Sequence, residues 1–243
     1  MPRWENGFQT NEEIQRFKRN AVIREAARIM SRRGFHNTSL DEVAKVLGIS
    51  KGTLYNYVKD KQEILFECHN IALDLGLHAA QFAKLAGGVG IDRLRLHLRC
   101  YTIWMYGQAG VGGVTFDVDA LRPDDRSVVI EQRDAVVASL VAMLEEGLAD
   151  GSTRACDAKV AVYAIMSAIN GISTWFSPDG RLSIEQIADQ VVDLCTLSLA
   201  TRPEALAPYP PIPAAPTRDA PLGFANSSPP AAPRRKVMAK SGA

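Results

Sequence analysis

"LGISKGTLYNYVKDKQEILF" (residues 47–66) closes one helical pattern on Leu47, turns on Gly48, and opens a helix at Lys51 that has run out by Val58. The basic corner around Lys59 and Lys61 then leads into another helix. Leu54 and Val58, four apart, form the inward pair of the short helix, while Lys51, Thr53, Tyr55 and Tyr57 are left outward. A helix shorter than about 12–15 residues is marginal alone, because nucleation is costly. The pattern predicts a short helix held by its neighbours and kept for its exposed face.

What precedes the stretch is also helical. Thr10 and Glu13 read as a capping box. Ile23, Ala26, Ala27 and Met30 then fall at i, i+3, i+4, i+7, an apolar face running to about Arg33, with Gly34 as the stop. Ser39, or Thr38, caps a second helix that turns Leu40, Val43, Ala44 and Leu47 inward and ends at Gly48. Two short helices joined through Gly-Ile-Ser have the proportions of a helix-turn-helix, whose second helix enters a DNA major groove. The residue types suit that task. Lys51 and Thr53 can meet base edges, the Tyr hydroxyls and Lys61 can meet phosphates, and Gly52 lets the backbone come close.

Further along, helical patterns run from about Asp60 to Leu85, over 91–107, from Pro123 to about Leu148, over 157–176, and from Ser183 to near Ala200. Strand signals are weak, and "VGGVTFDV" is short and lacks a partner. The expectation is an all-α chain of about nine helices: a head at 1–60, a helical trunk at 61–202 and a tail at 203–243. Ten of the thirteen prolines lie in that tail, which reads as disordered, partly extended, with little to bury and a basic cluster at Arg234–Lys236.

Composition narrows the class. Apolar residues make up 47% and charged residues 23%, ordinary values for a chain with a real core. Residues 1–61 hold 12 Lys/Arg against 7 Asp/Glu, leaving 16 against 20 for the rest, so a basic head sits on a slightly acidic body. Cys68, Cys100, Cys156 and Cys195 are scattered without ligand spacing, which suits reduced thiols and argues against zinc. No apolar run approaches the roughly 18 residues of a membrane span, and no signal peptide is read at the start. The expectation is a cytoplasmic protein with no membrane partner, no metal and no cofactor. Enzyme motifs fail: "GVGGVT" lacks GxGxxG and a following Lys-Ser/Thr, neither GxSxG nor HExxH occurs, and the four histidines lack partner spacing.

Residues 26–66, with Gly34-Phe35, Thr38-Ser39, Val43-Ala44, Gly48-Ile49-Ser50, Thr53-Leu54-Tyr55 and Lys61, Glu63 and Leu65, closely resemble the DNA-binding head of the TetR/AcrR repressors. The resemblance implies a homodimeric repressor whose two heads bind successive major grooves of a palindromic double-stranded operator. It carries DNA-contact roles onto Thr38, Ser39, Ser50, Lys51, Gly52, Thr53, Tyr55, Tyr57 and Lys61. It also implies a trunk that binds a small effector among its middle helices and dimerises through its last two. Small and apolar residues there, Val160, Ala164, Ser167, Gly171, Ile187, Val191 and Leu194, fit a helix–helix interface. Aromatic and Met side chains, His97, Tyr101, Trp104, Met105, Met143, Met166, Asn170 and Trp175, are the expected effector lining.

The stretch "WFSPDGRLSIEQIAD" (175–189) is similar to trunks of KstR/FadR-like regulators that respond to fatty-acyl or steroid CoA thioesters. That points to an apolar acyl chain or ring system, with Arg95, Arg99, Arg122, Arg126 and Arg133 available for phosphates. The alternatives are a multidrug-type apolar ligand, or a DNA-binding protein with no effector; a filled trunk core would favour the latter.

Overall fold

The computed structural model describes residues 10–114 and 118–216. Eight α-helices make up the fold: α1 (Asn11–Arg33), α2 (Leu40–Leu47), α3 (Lys51–Tyr55), α4 (Lys61–Ala86), α5 (Gly90–Ile103), α6 (Pro123–Ala149), α7 (Ala158–Gly171) and α8 (Ile184–Thr196). Short 3₁₀ turns lie at Val118–Ala120, Ile172–Thr174 and Pro203–Ala205. Among the described residues there is no strand, only an isolated bridge between Thr153 and Ala200.

Local chemistry sets the boundaries. Ser39 accepts from the Glu42 N–H at the start of α2, and Gly48 ends that helix at φ 66°, a left-handed conformation that costs glycine nothing. Ser50 accepts from Thr53 to open α3, Asp60 from Glu63 to open α4, and Ser183 with Gln186 completes a capping box on α8. α1 to α3 form the head. α4 packs on α1 at one end and on α5 and α6 beyond it, so one buried cluster runs from Ile23, Val43 and Leu54 into Leu94, Trp104 and Leu140.

Several elements are shorter than their patterns. α3 stops at Tyr55, followed by turn to Tyr57. The helix expected over 91–107 is regular only to Ile103 and continues as a π-helical turn, Trp104–Gln108, in which the Ala109 N–H reaches back to the Trp104 carbonyl. The helix expected over 157–176 breaks at Gly171 into 3₁₀ geometry.

The tail differs most. Residues 203–216 lie against the trunk: Leu206, Tyr209, Ile212 and Ala215 pack on its core. Proline content signals an extended chain, not an unbound one, and these four apolar side chains give the extended chain a surface to hold. Residues 217–243, with Arg234–Lys236, lie outside the described residues.

Candidate nucleic-acid interface and trunk interior

α3 is oriented from below. Leu54 is fully buried and Val58 nearly so, which fixes the opposite face outward. That face presents Ser50, Lys51, Gly52, Tyr55 and Asn56 to solvent, with Thr53 and Tyr57 half-buried beside them. Tyr55 is 46% exposed, an aromatic left in solvent on the face opposite Leu54. Nothing stands over Gly52; an added Cβ would meet only Ser50 Oγ, at 3.9 Å. Lys51 Nζ lies 2.7 Å from Asp41 of α2, an ion pair exposed on both sides. That pairing holds the Lys51 pKa up, chiefly through its hydrogen bond. Exposed pairs are weak and screened, so a phosphate or base edge can take the ammonium over.

The other expected DNA contacts divide. Ser39 and Ser50 are exposed, but their hydroxyls are already engaged as helix caps, Ser50 also with Thr53 Oγ1 at 2.8 Å. Thr38 is a correction: it is buried, its hydroxyl donating to the Gly34 carbonyl at 3.0 Å and bracing the α1–α2 turn. Lys61 is another. Its ammonium donates to the carbonyls of Phe35 (2.7 Å) and Thr38 (3.0 Å) and sits 4.3 Å from the Phe35 ring centre. With the His36 carbonyl at 3.4 Å as a third acceptor, it clamps α4 to the α1–α2 turn in this arrangement. Lysine type and position in the sequence cannot distinguish a clamp from a phosphate hook; only the nearby carbonyls do.

Behind the head, the trunk interior is closed. Trp104, Met105 and His97 are fully buried, with Tyr101 and Met143 nearly so; Met166 and Asn170 are half-buried. The gap between Leu94, Leu98, Leu140, Val162, Ile165 and Met166 has no room for a water molecule. Trp175 is a correction: at 57% exposed it stands on the surface after α7 and lines no interior. A cleft of about 340 Å³ opens instead at the far end of the trunk, lined by Asp92, Asp150, Arg202 and Leu206 among others. His97 is the anomaly inside. Neither ring nitrogen has a hydrogen-bond partner among the described residues, and burial drives its pKa down to about 3, so the ring is neutral.

The arginines expected to await phosphates are mostly engaged. Arg95 pairs with Asp193 at 2.6 Å, Arg99 with Asp189, Arg122 with Asp60 at 2.5 Å and Arg126 with Asp119 at 2.6 Å; Arg133 is exposed on α6. The thiols of Cys68 and Cys100 are pushed up to about 12 by burial, so neither is a nucleophile near neutrality. The described residues hold no group of acidic, His or Cys side chains able to grip a metal, and no helix long and apolar enough to cross a membrane.

The glycine-rich loop, weighed in the sequence as an enzyme motif and rejected, joins the two regions. After the π turn, Gly112 lies under the Tyr106 ring, where a Cβ would come within 2.3 Å, and Gly113 lies on Ser31 of α1, where it would come within 2.5 Å. The Tyr106 hydroxyl donates between the carbonyls of Ile169 and Asn170, at 3.0 and 2.9 Å. The last turn of α7 is thus tied to the first helix of the head. The glycine-rich string was visible in the sequence, but its neighbours were not.

α7 and α8 leave an apolar face uncovered. Val160 (65%), Tyr163 (48%) and Leu194 (78%) are exposed, with Ala164 and Ser167 between them and Gly171 and Val191 half-buried; a Cβ on Gly171 would meet nothing within 4 Å. Ile187 is a correction, since it is buried inside the chain.

Comparison with known proteins matches both regions. Residues 22–68 match the family described as bacterial regulatory proteins, tetR family, and residues 87–199 match the tetracyclin repressor-like C-terminal domain. The HTH-type transcriptional repressor KstR2 of Mycolicibacterium smegmatis is 27% identical over 71% of this chain and 86% of its own length. The fatty acid metabolism regulator protein of Bacillus subtilis is 21% identical over 71% of this chain and 91% of its own. Among solved structures, AibR in complex with isovaleryl coenzyme A and operator DNA is 26% identical, with a TM-score of 0.61 over 74% of this chain and 98% of that one. With head and trunk both matched, the chain belongs to the TetR family of DNA-binding transcriptional repressors, and is not an enzyme.

Proposed function

We propose that this repressor works as a homodimer on a palindromic operator and is released by an apolar effector of the acyl-CoA class. The observation that carries the reading is the uncovered apolar stripe on α7 and α8, where Leu194 is 78% exposed on a helix whose other face is fully packed. Stripes of this kind mark association sites, and a two-fold axis through it would pair two copies of α3. In a helix-turn-helix dimer, half-sites lie about 34–36 Å apart, one duplex turn. The outward Ser50–Tyr55 face supplies direct contact in each half-site.

Support for the effector class comes from the likeness to AibR, whose structure contains isovaleryl coenzyme A, and from His97, a fully buried ring with neither nitrogen hydrogen-bonded among the described residues. Entry would require the gap between α5, α6 and α7, lined by Leu98, Leu140 and Ile165, to widen. Release then needs the effector to favour a trunk state in which head spacing no longer fits the operator, a coupling typically of 1–3 kcal/mol. The filled interior favours a second reading, a repressor with no effector. One experiment separates them: operator fragments selected by the purified protein are bound, and short-, medium- and long-chain acyl-CoAs are titrated in. Release at micromolar concentration supports the first reading; no release by any of them overturns it and leaves a multidrug-type apolar ligand or a repressor with no effector.

A further inference from the structure

Residues 206–215 follow a rule of three. Leu206, Tyr209, Ile212 and Ala215 pack on the trunk, each three after the last. Three residues per turn is the period of polyproline II, and Leu206 itself lies at φ −61°, ψ 137°, within that region. The carbonyls that face the trunk keep the same period. Ala207 accepts from Arg95 (3.1 Å), Pro210 from Arg99 (3.4 Å) and Pro213 from the indole N–H of Trp104 (3.0 Å). The donors lie along one side of α5 and continue onto the π turn, in the same chain order as their acceptors. Tyr209 stacks under both guanidiniums, 4.5 and 4.8 Å from its ring centre, and donates its hydroxyl to Asp193 of α8 at 2.9 Å.

Indole N–H and arginine donors to carbonyls, beside an aromatic and apolar floor, are the chemistry by which proteins recognise proline-rich segments. The charges of the groove are balanced within the trunk itself, since Arg95 pairs with Asp193 and Arg99 with Asp189, both on α8. The occupant itself is lightly held: Tyr209, Ile212 and Ala215 are only half-buried, and Ala207 and Pro208 are exposed. Prolines at 208, 210, 211 and 213 lower the entropy lost on docking.

We infer that the α5–α8 face is a polyproline II-binding groove, and that residues 206–215 are its displaceable ligand, tethered in cis and covering Trp104. Trp104 opens the π turn whose exit loop rests Gly113 on the head, so occupancy bears on the segment that joins trunk to head. The inference stands apart from the effector reading, which is tested by acyl-CoA titration of the wild-type complex.

The test uses full-length protein in which Trp4→Phe and Trp175→Phe leave Trp104 as the only tryptophan. Acrylamide quenching of Trp104 is compared before and after Tyr209→Ala with Ile212→Asp. The expected result is a quenching constant at least about threefold higher in the undocked variant. A synthetic peptide of residues 205–216 should restore protection at about millimolar concentration, the effective concentration of a short tether; the same peptide with Tyr209→Ala should not. Trp104 equally protected in the variant overturns the proposal, and so does exposure that the peptide fails to reverse. Should the double variant melt, Tyr209→Phe, which removes only the hydroxyl bond to Asp193, carries the same comparison at smaller amplitude.

Discussion

The Lys61 ammonium lies 2.7 Å from the Phe35 carbonyl oxygen and 4.3 Å from the centre of the Phe35 ring, so one charge closes both the backbone and the side chain of the α1–α2 turn. Phe35 is buried under it, and the Thr38 carbonyl takes a further donor. Removing that charge takes the ammonium donor from the Thr38 carbonyl and leaves the Phe35 carbonyl only the Thr38 N–H, at 3.3 Å. Lys61→Ala should lower the stability of the chain by about 1–3 kcal/mol. Its loss of operator binding should track the unfolded fraction, with an unchanged salt slope. Lys51→Ala should do the reverse, leaving the melting temperature intact and lowering the salt slope by about one. Melting curves and operator titrations at several salt concentrations check both.

Acid should find His97. Its folded pKa is about 3 and its unfolded value about 6.5, so between those limits the unfolded chain holds a proton that the folded chain refuses. Stability from this residue is complete above about pH 6.5 and falls with pH by up to ~1.4 kcal/mol per unit until about pH 3. His97→Leu should flatten the acid limb of a urea-denaturation series. An acid limb as steep as that of the wild type would show that other groups dominate it.

Association can be separated from folding at α8. Leu194 is 78% exposed in the single chain, so Leu194→Glu should cost the protomer little while placing charge in the proposed interface. Gly171→Arg fills space that is empty within 4 Å in the protomer. Both should sediment as monomers with near-native helical circular dichroism and lose operator affinity. A dimer of unchanged stability would place the interface elsewhere.

Gly112→Ala should displace the Tyr106 ring, which leaves no space for a Cβ at 2.3 Å. The cost expected is about 1–3 kcal/mol, as for other overpacked sites. Combining it with Tyr106→Leu should be clearly non-additive, because the smaller side chain removes the clash while forfeiting the bond to the Ile169 and Asn170 carbonyls. Urea midpoints for the two single variants and the double variant decide it.

The head was largely legible because its signals are local. Ser39, Gly48 and Ser50 act through partners within a few residues, so spacing alone places them. Lys61 was misread because what it grips lies 26 residues away, in a turn whose carbonyls carry no residue-type signature, and Thr38 because its hydroxyl turns back to a carbonyl four residues earlier, a bond that residue type alone does not announce. Trp175 and Ile187 failed for a related reason: helical period marks a face as apolar without saying whether chain or solvent covers it. The docking of residues 203–216 was missed because proline-rich composition was read as absence of structure. The spacing of Leu206, Tyr209 and Ile212 carried a period of its own.

At the start of α5, Gly90 approaches α6 so closely that a Cβ would fall 2.1 Å from the Gly147 nitrogen. Two bare backbones in contact fix the spacing of α5 and α6 at this crossing, which would make it the fulcrum of any tilt between them. From it α5 extends 14 residues, a lever arm of roughly 20 Å, to the turn that begins at Trp104. A tilt of about three degrees at the pivot moves the far end of an arm of that length by about 1 Å. Any such tilt would be small where the helices touch and largest beside the loop that leans on Ser31.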